Sequence, residues 1–185
     1  MTRIPRPTPD ELDEQQKRLH AAVTGGDRAN GPQLFRLADD DGRLEGPFNA
    51  MLLNPAVGDA LQRLGAAIRY EGRLSDRCRE IAILAVAAHW QSGFEQRAHE
   101  PIGAHVGLAA TELDSLRNGD PVELDDPDEA AVLRTTRHLL QHLDLDDDAY
   151  RAAAEALGHD KLFELTTLIG YYSTLALQMR VFAVH

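Results

Sequence analysis

The chain has 185 residues, 43% of them hydrophobic, and its 30 acidic residues outnumber 19 basic ones for a formal net charge of −11. This length suits one domain, or one domain with an appendage, and is long enough for a sizeable core. The acidic excess argues against nucleic acid or an anionic membrane surface as a partner. The single cysteine, Cys78, and the lack of a signal-like apolar start predict a reducing, cytoplasmic location.

The N-terminal part of the chain predicts an arm and one helix. Residues 1–8 are rich in Pro and Arg. The helix is expected to begin at Thr8, because a capping hydroxyl is followed by Pro and two acidic residues. It is expected to run to about Val23 and to end at Gly25-Gly26. Residues 27–45 have a weak pattern rich in Asp and Gly, which predicts a loop or a broken helix.

Helix start and stop signals then follow one another along the chain, and no stretch alternates apolar and polar residues as a strand would. The second predicted helix below carries apolar residues at helical spacing: Val57, Leu61, Leu64 and Ile68. The fold class predicted is all-α. Helices are predicted from Gly46 to Leu53, Asn54 to Gly72, Ser75 to about Trp90, Ser92 to Gly107, Thr111 to Gly119, Asp126 to about Leu143, Asp146 to Gly158, and Asp160 to about Val184.

The helix that begins at Ser75 is apolar almost all the way round between Ile81 and Ala88. A helix without a polar face is expected inside a domain, and this one is too short to cross a bilayer. Directly after it the chain offers Trp90, Ser92, Glu95 and His99, listed here as candidates for chemistry.

Two interpretations of this second segment are open. Ser92 and Glu95 have the spacing of a capping box, which is a purely structural role. Alternatively Glu95 and His99, four residues apart, share one helix face, so that the carboxylate orients the imidazole for acid/base work. Spacing alone favours the capping box, since Glu and His four apart are common on solvated helices.

The pattern Glu80, eleven intervening residues, Ser92-x-x-Glu95 and then His99 resembles the core signature of the carboxymuconolactone decarboxylase and alkylhydroperoxidase D superfamily. The resemblance extends roughly from Gly46 to Val184. The peroxidase branch carries Cys-x-x-Cys where this chain has Ser92 and Glu95, and Cys78 lies too far before them to replace the pair. The chain therefore resembles the decarboxylase-like branch.

This resemblance implies a single-domain helical bundle of the alkylhydroperoxidase D-like type, formed by residues 46–185, with residues 1–45 as an N-terminal extension that packs on it. It implies a lyase in which His99 protonates the carbanion or dienolate left when a carboxylate departs. By this analogy Glu95 orients His99, and Glu80 supports the site from the core helix.

The expected substrate is a small cyclic or unsaturated carboxylic acid of the lactone type. An arginine is expected to bind its carboxylate bidentately. The residues expected to bind substrate are Ser92, Trp90, Arg77, Arg97 and Tyr171. No cofactor is expected, and no metal either, because His138 and His142 have ligand spacing on a helix but no identifiable third ligand.

Two alternatives to a lyase are a peroxidase-type member of the same superfamily that works without the thiol pair, and a non-catalytic small-molecule-binding oligomer. The resemblance implies a homo-oligomer, a trimer or a hexamer. The apolar residues Ile4, Leu12 and Leu19 in the N-terminal region, which need to be covered, point the same way.

Overall fold

A computed structural model describes residues 2–25 and 34–184 of the chain. In these residues the regular structure is helical and no strand is present, which confirms the predicted all-α class. The helices of this part of the chain are α1 (Glu14–Gly25), α2 (Gly46–Met51), α3 (Pro55–Tyr70), α4 (Asp76–Trp90), α5 (Gly93–His105), α6 (Ala110–Asn118), α7 (Pro127–His142) and α8 (Asp147–Phe182).

Local capping groups begin several of these helices. The side chain of Asn54 accepts a hydrogen bond from the Val57 amide, and that of Asp126 accepts from the first turn of α7. Gly158, with φ 74° and ψ 162°, interrupts α8 at the position where the sequence predicts a stop. Only a residue without a Cβ adopts this backbone conformation at little cost, so the predicted break is confirmed.

The prediction of one continuous helix from Thr8 is wrong, because the structure divides this segment into a 3₁₀ turn and α1. The Glu11 carboxylate accepts a hydrogen bond from the Thr8 amide at 2.8 Å and closes a single 3₁₀ turn, Pro9–Glu11. Asp13 then accepts from the amide of Gln16 at 2.8 Å and starts α1 afresh. The predicted stop at Gly26 lies outside the described residues.

The chain divides into two compact units. One comprises Met1–Glu71 and Thr174–His185, and the other comprises Gly72–Ser173. This division does not show whether residues 46–185 fold in the absence of residues 1–45. The division of the chain into an extension and a domain therefore stays a prediction.

In the first unit, α3 packs against α1 and α2 through its glycine-bearing face. Gly58 and Gly65 are buried there, and a Cβ on Gly58 would lie 2.5 Å from the Met51 carbonyl oxygen. Of the four apolar residues at helical spacing in α3, Val57 and Leu64 are exposed, whereas Ile68 is buried. The buried face is the one that carries the glycines, which permit a closer backbone approach than larger side chains would.

Two of the three N-terminal apolar residues are covered by the chain itself, and the third, Ile4, is partly exposed. Leu12 and Leu19 are buried in the described structure, at 4% and 2% exposure. They therefore give no reason to expect a second subunit over them.

In the second unit, α4 packs against α5, α6 and α7. All its residues from Cys78 to Ala87 are buried, which confirms the predicted core helix. The Ser75 hydroxyl accepts a hydrogen bond from the Cys78 amide at 3.1 Å, as expected of the N-cap. None of the helices in the described part of the chain combines the length and the hydropathy that a membrane span requires.

The chain reverses direction tightly after α4. Gln91 adopts the left-handed conformation with φ 52°, and the amide of Ser92 donates to the Ala87 carbonyl at 2.8 Å. These are the marks of a Schellman ending. The reversal lays α5 against α4, and α5 continues through Pro101 to His105 rather than ending at the proline.

Candidate active site

A buried carboxylate–imidazole contact joins α4 to α5. The Nδ1 atom of His99 lies 2.7 Å from Oε2 of Glu80. Both residues are enclosed, Glu80 at 0% and His99 at 4% exposure. With Glu80 ionised, its carboxylate accepts the hydrogen bond from Nδ1–H, and the contact holds the ring in one orientation.

Glu95 lies at the other nitrogen of the same ring. Its Oε2 is 3.5 Å from Nε2 of His99, and its side chain is likewise buried, at 3% exposure. At this distance the pair is an ion-pair contact rather than a well-formed hydrogen bond. One imidazole is thus flanked by two carboxylates, Glu80 and Glu95.

The capping-box interpretation of Ser92 and Glu95 is wrong. Ser92 is the N-cap residue of α5, but its side chain makes no capping hydrogen bond. The Glu95 carboxylate is buried against His99. The spacing of Ser92 and Glu95 suggests a cap, but in the structure Glu95 contacts His99 instead.

The closer partner of His99 is Glu80, not Glu95. The sequence interpretation gave the orienting role to Glu95, because it lies four residues away on the same helix. The 2.7 Å contact with Glu80 is the shorter of the two, and Glu95 faces the other ring nitrogen, Nε2.

The tyrosine beside His99 is Tyr172. Its ring meets the imidazole edge to face, with centroids 5.2 Å apart and an interplanar angle of 86°. Tyr171, which the sequence suggests for substrate binding, packs in the same manner on Tyr172 at 5.1 Å. Spacing within α8 does not tell which of two adjacent tyrosines meets α5.

Trp90 and Ser92 flank the turn between α4 and α5. The indole Nε1 of Trp90 donates to the Ser173 hydroxyl at 3.1 Å. Ser92 is partly exposed. Their predicted contact with substrate stays a prediction.

A comparison with protein families bears on this arrangement. Residues 55–137 match the carboxymuconolactone decarboxylase family. The resemblance stated from the sequence is confirmed over this region, which contains Glu80, Glu95 and His99. A search of curated proteins finds no match to the chain.

Within the matched residues 55–137, Arg77 is held by other protein groups. Its Nε and Nη2 donate to the two oxygens of Glu129 at 2.7 and 2.9 Å, and Nη2 also donates to Glu112 at 3.1 Å. Nη1 donates to the carbonyl of Gly107. The hydrogen bond with Glu129 raises the pKa of Arg77 above the ordinary value of an arginine. These bonds tie α4 to α6 and α7, and the predicted contact of Arg77 with substrate stays a prediction.

Arg97 is the other arginine expected to bind substrate. It lies on α5 and is exposed. It forms no ion pair with the described residues of the chain, so its guanidinium is available to an anion in solution. Its predicted role is neither supported nor opposed by a contact.

The thiol of Cys78 is enclosed in the first turns of α4, at 3% exposure. Burial raises the pKa of the Cys78 thiol, which keeps it in the neutral form. A neutral, enclosed thiol is a poor nucleophile, so the geometry gives no support to Cys78 as a reactive group.

Proposed function

We propose that this protein is a carboxymuconolactone decarboxylase-like lyase acting on a small cyclic or unsaturated carboxylic acid of the lactone type. The observation that carries the proposal is the buried imidazole of His99 between the carboxylates of Glu80 and Glu95. The match of the surrounding region to the decarboxylase family supports the same conclusion. Acid/base chemistry needs such a group that takes up and releases protons where water is excluded.

The proposed step breaks the carbon–carbon bond to the departing carboxylate. Its electron pair passes into the conjugated system of the substrate, and carbon dioxide leaves. A proton then moves from Nε2 of His99 to the substrate carbon that carries the negative charge. Glu80, which accepts the Nδ1–H hydrogen bond, stabilises the imidazolium before this transfer and orients the ring during it.

Glu95 adjoins the nitrogen that delivers the proton. Its carboxylate favours the protonated imidazole by its negative charge, and the proton that Nε2 gives up in each turnover is replaced from solvent. Positioned acid/base groups of this kind accelerate reactions by about 10²–10⁴-fold. Glu95 therefore acts on the proton rather than on the orientation of the ring.

A thiol peroxidase is the alternative within the same superfamily. Its chemistry requires one thiolate that attacks and a second thiol that resolves the product. The positions that correspond to the two thiols are Ser92 and Glu95, and the only thiol of the chain belongs to Cys78, which is buried. These residues favour the lyase.

The test is carbon dioxide release from a panel of unsaturated lactone carboxylic acids that includes carboxymuconolactone. We expect turnover by the wild-type protein and its loss in His99→Asn. His105→Asn is the matched control, because His105 lies on the same helix but is exposed. It should keep wild-type turnover.

Hydroperoxide reduction with a thiol reductant is measured in parallel. Peroxide turnover in the absence of decarboxylation would replace the lyase by the peroxidase. Binding of the lactone acids without turnover of either kind would indicate the non-catalytic oligomer.

A further inference from the structure

Arg79 is a buried arginine whose hydrogen-bonding capacity the chain uses only in part. It lies one turn into α4 and is 8% exposed. Its Nη2 donates to Oδ1 of Asp76, three residues earlier on the same helix. Its Nε is buried and has no hydrogen-bond partner among the described residues. Buried donors are nearly always paired in proteins, so the unused Nε–H of Arg79 points to an acceptor that the chain does not supply.

The partner of Arg79 differs in kind from the main partner of Arg77. The Glu129 side chain, which holds Arg77, is 9% exposed, whereas the Asp76 side chain, which contacts Arg79, is 69% exposed. A buried carboxylate that loses its cation is left without a partner in a dry site. An exposed carboxylate turns into water at little cost. An incoming anion therefore displaces Asp76 more readily than Glu129.

Helix geometry places the guanidinium of Arg79 on the same face of α4 as the candidate site. Arg79 and Glu80 follow Asp76 by three and four residues, which is the spacing of one helix face. Asp76 holds the guanidinium on this face, and Glu80 meets His99 from it. The four residues between Asp76 and Glu80 correspond to roughly 6 Å along the helix axis. A lactone ring with an attached carboxylate spans such a distance.

Arg97, an arginine that the sequence suggests for substrate binding, offers a weaker contact. It is exposed, and an ion pair in water adds little free energy. Charge-assisted hydrogen bonds are stronger where water is excluded, as it is around Nε of Arg79. Arg79 combines burial, a charge and an unused donor.

We propose that Arg79 binds a carboxylate of the substrate through Nε and Nη2, and that Asp76 occupies Nη2 until the substrate arrives. Arg79 then selects acids over neutral compounds and anchors them beside His99. This assignment rests on the proposed function for the class of acid that is bound. Binding at Arg79 itself does not require turnover.

The first test measures binding without chemistry. The probe is γ-carboxy-γ-butyrolactone, a saturated lactone acid without the conjugation that decarboxylation needs, and γ-butyrolactone is its neutral counterpart. By titration calorimetry we expect the wild type to bind the acid at least roughly tenfold more tightly than the neutral lactone, as hydrogen bonds to charged groups allow. Arg79→Gln should abolish this preference. Arg79→Lys keeps the charge but loses the planar fork, and should retain only part of the preference.

Asp76→Asn tests the displacement and leaves the buried arginine in place, so it decides the question even if Arg79→Gln fails to fold. Loss of the competing carboxylate should tighten binding of the acid and leave binding of the neutral lactone unchanged. The matched controls are Asp148→Asn and Arg151→Gln, because these exposed residues form an ion pair with the same three-residue spacing on α8. Neither should alter the preference for the acid. Equal tightening by Asp76→Asn and Asp148→Asn, or none by Asp76→Asn, would overturn the proposal.

Turnover separates this assignment from the proposed function. If a lactone acid releases carbon dioxide, Arg79→Lys should raise KM more than it lowers kcat, since the anchor binds the ground state and the transition state alike. Turnover with an unchanged KM in Arg79→Lys would overturn the assignment and leave the lyase standing. Binding of the acid that depends on Arg79, without turnover of any acid, would support the assignment and remove the lyase. A wild type that does not prefer the acid to the neutral lactone would overturn the assignment.

Discussion

Two charged clusters begin on neighbouring turns of α4 and use carboxylates in different ways. Arg77 is bound by Glu129 and Glu112, which tie α4 to α7 and α6. Glu80, three residues further along, meets His99 on α5, and Glu95 lies at the other side of that ring. In each cluster two carboxylates lie beside one nitrogen-containing side chain, the guanidinium of Arg77 or the imidazole of His99.

The chemical difference lies in the base. A guanidinium stays charged and offers its donors in a fixed planar pattern, so the Arg77 cluster is suited to holding helices together. An imidazole takes up and releases a proton, so the His99 cluster is suited to proton transfer. On one core helix, a carboxylate contact thus suits a scaffold where the cation keeps its proton, as in Arg77, and acid/base chemistry where the partner exchanges it, as in His99.

The largest effects are expected from changes in the His99 cluster. We expect His99→Asn and Glu95→Gln each to lower turnover of the lactone acid by about 10²–10⁴-fold, and Glu95→Gln to do so with little change in melting temperature. The second change keeps the shape of the Glu95 side chain and removes its charge. The double variant should be little worse than either single one, since residues that act as a unit are not additive. Steady-state kinetics and thermal melts on the same samples give both quantities.

Full activity in Glu95→Gln would leave His99 as the only acid/base group of the three. Full activity in His99→Asn would remove the mechanism. Glu80→Gln keeps an acceptor for Nδ1–H and should lower turnover less than His99→Asn does.

Removal of Arg77 should act on stability instead. Arg77→Ala leaves Glu129 with a side chain that is only 9% exposed and without its bidentate partner. Breaking such a pair costs roughly 3 kcal/mol in the free energy of unfolding, measured by urea denaturation. Turnover per folded molecule should stay at the wild-type level. The control is Arg97→Ala, an exposed position on α5 that should change stability by no more than about 0.5 kcal/mol.

Cys78 lies between Arg77 and Glu80 in sequence, and we expect its thiol to take part in neither cluster. Because burial raises the pKa of its thiol, the neutral form is favoured in the folded state; this stabilisation is present below the unfolded pKa and is lost as the pH rises through the folded value. We expect slow reaction with a thiol-specific reagent at neutral pH and fast reaction after denaturation. Cys78→Ser should cost roughly 1 kcal/mol and leave turnover unchanged. Rapid labelling of the native protein would contradict this.

The smallest effects concern the serines that precede α4 and α5. Ser75 caps α4 with a hydrogen bond, so Ser75→Ala should lower the free energy of unfolding by about 1 kcal/mol. Ser92 makes no such bond, so Ser92→Ala should be nearly neutral in stability. A loss in Ser92→Ala equal to that in Ser75→Ala would restore the capping box. Loss of turnover without loss of stability would instead support Ser92 as a substrate contact.

Much of the fold is readable from the sequence because helix boundaries depend on local chemistry. Asn54, Ser75 and Asp126 are capping residues within three positions of the amides that they bind. Gly158 breaks α8 because of its own backbone freedom. The apolar composition of α4 likewise predicts its burial without knowledge of its neighbours.

The members of the candidate site, Glu80, Glu95 and His99, are also readable from the sequence, through their spacing and the resemblance. Their roles are not. Spacing along α5 suggests Glu95 as the residue that orients His99, whereas the packing of α5 on α4 brings Glu80, 19 positions away, to 2.7 Å. Long-range pairs of this kind depend on how two helices are placed, which no local pattern specifies.

Helix packing also explains the other contacts that the sequence did not predict. That Arg77 would be bound by Glu129, and that Tyr172 would meet His99, depended on the packing of helices distant in the chain. For α3, periodicity shows that the helix is amphipathic, but the close approach at Gly58 decided which face the chain buries. The sequence by itself determined the helices and the chemical groups they carry. Only the tertiary structure decided which of those groups meet, because side-chain contacts between helices depend on backbone distances that propensity and spacing do not contain.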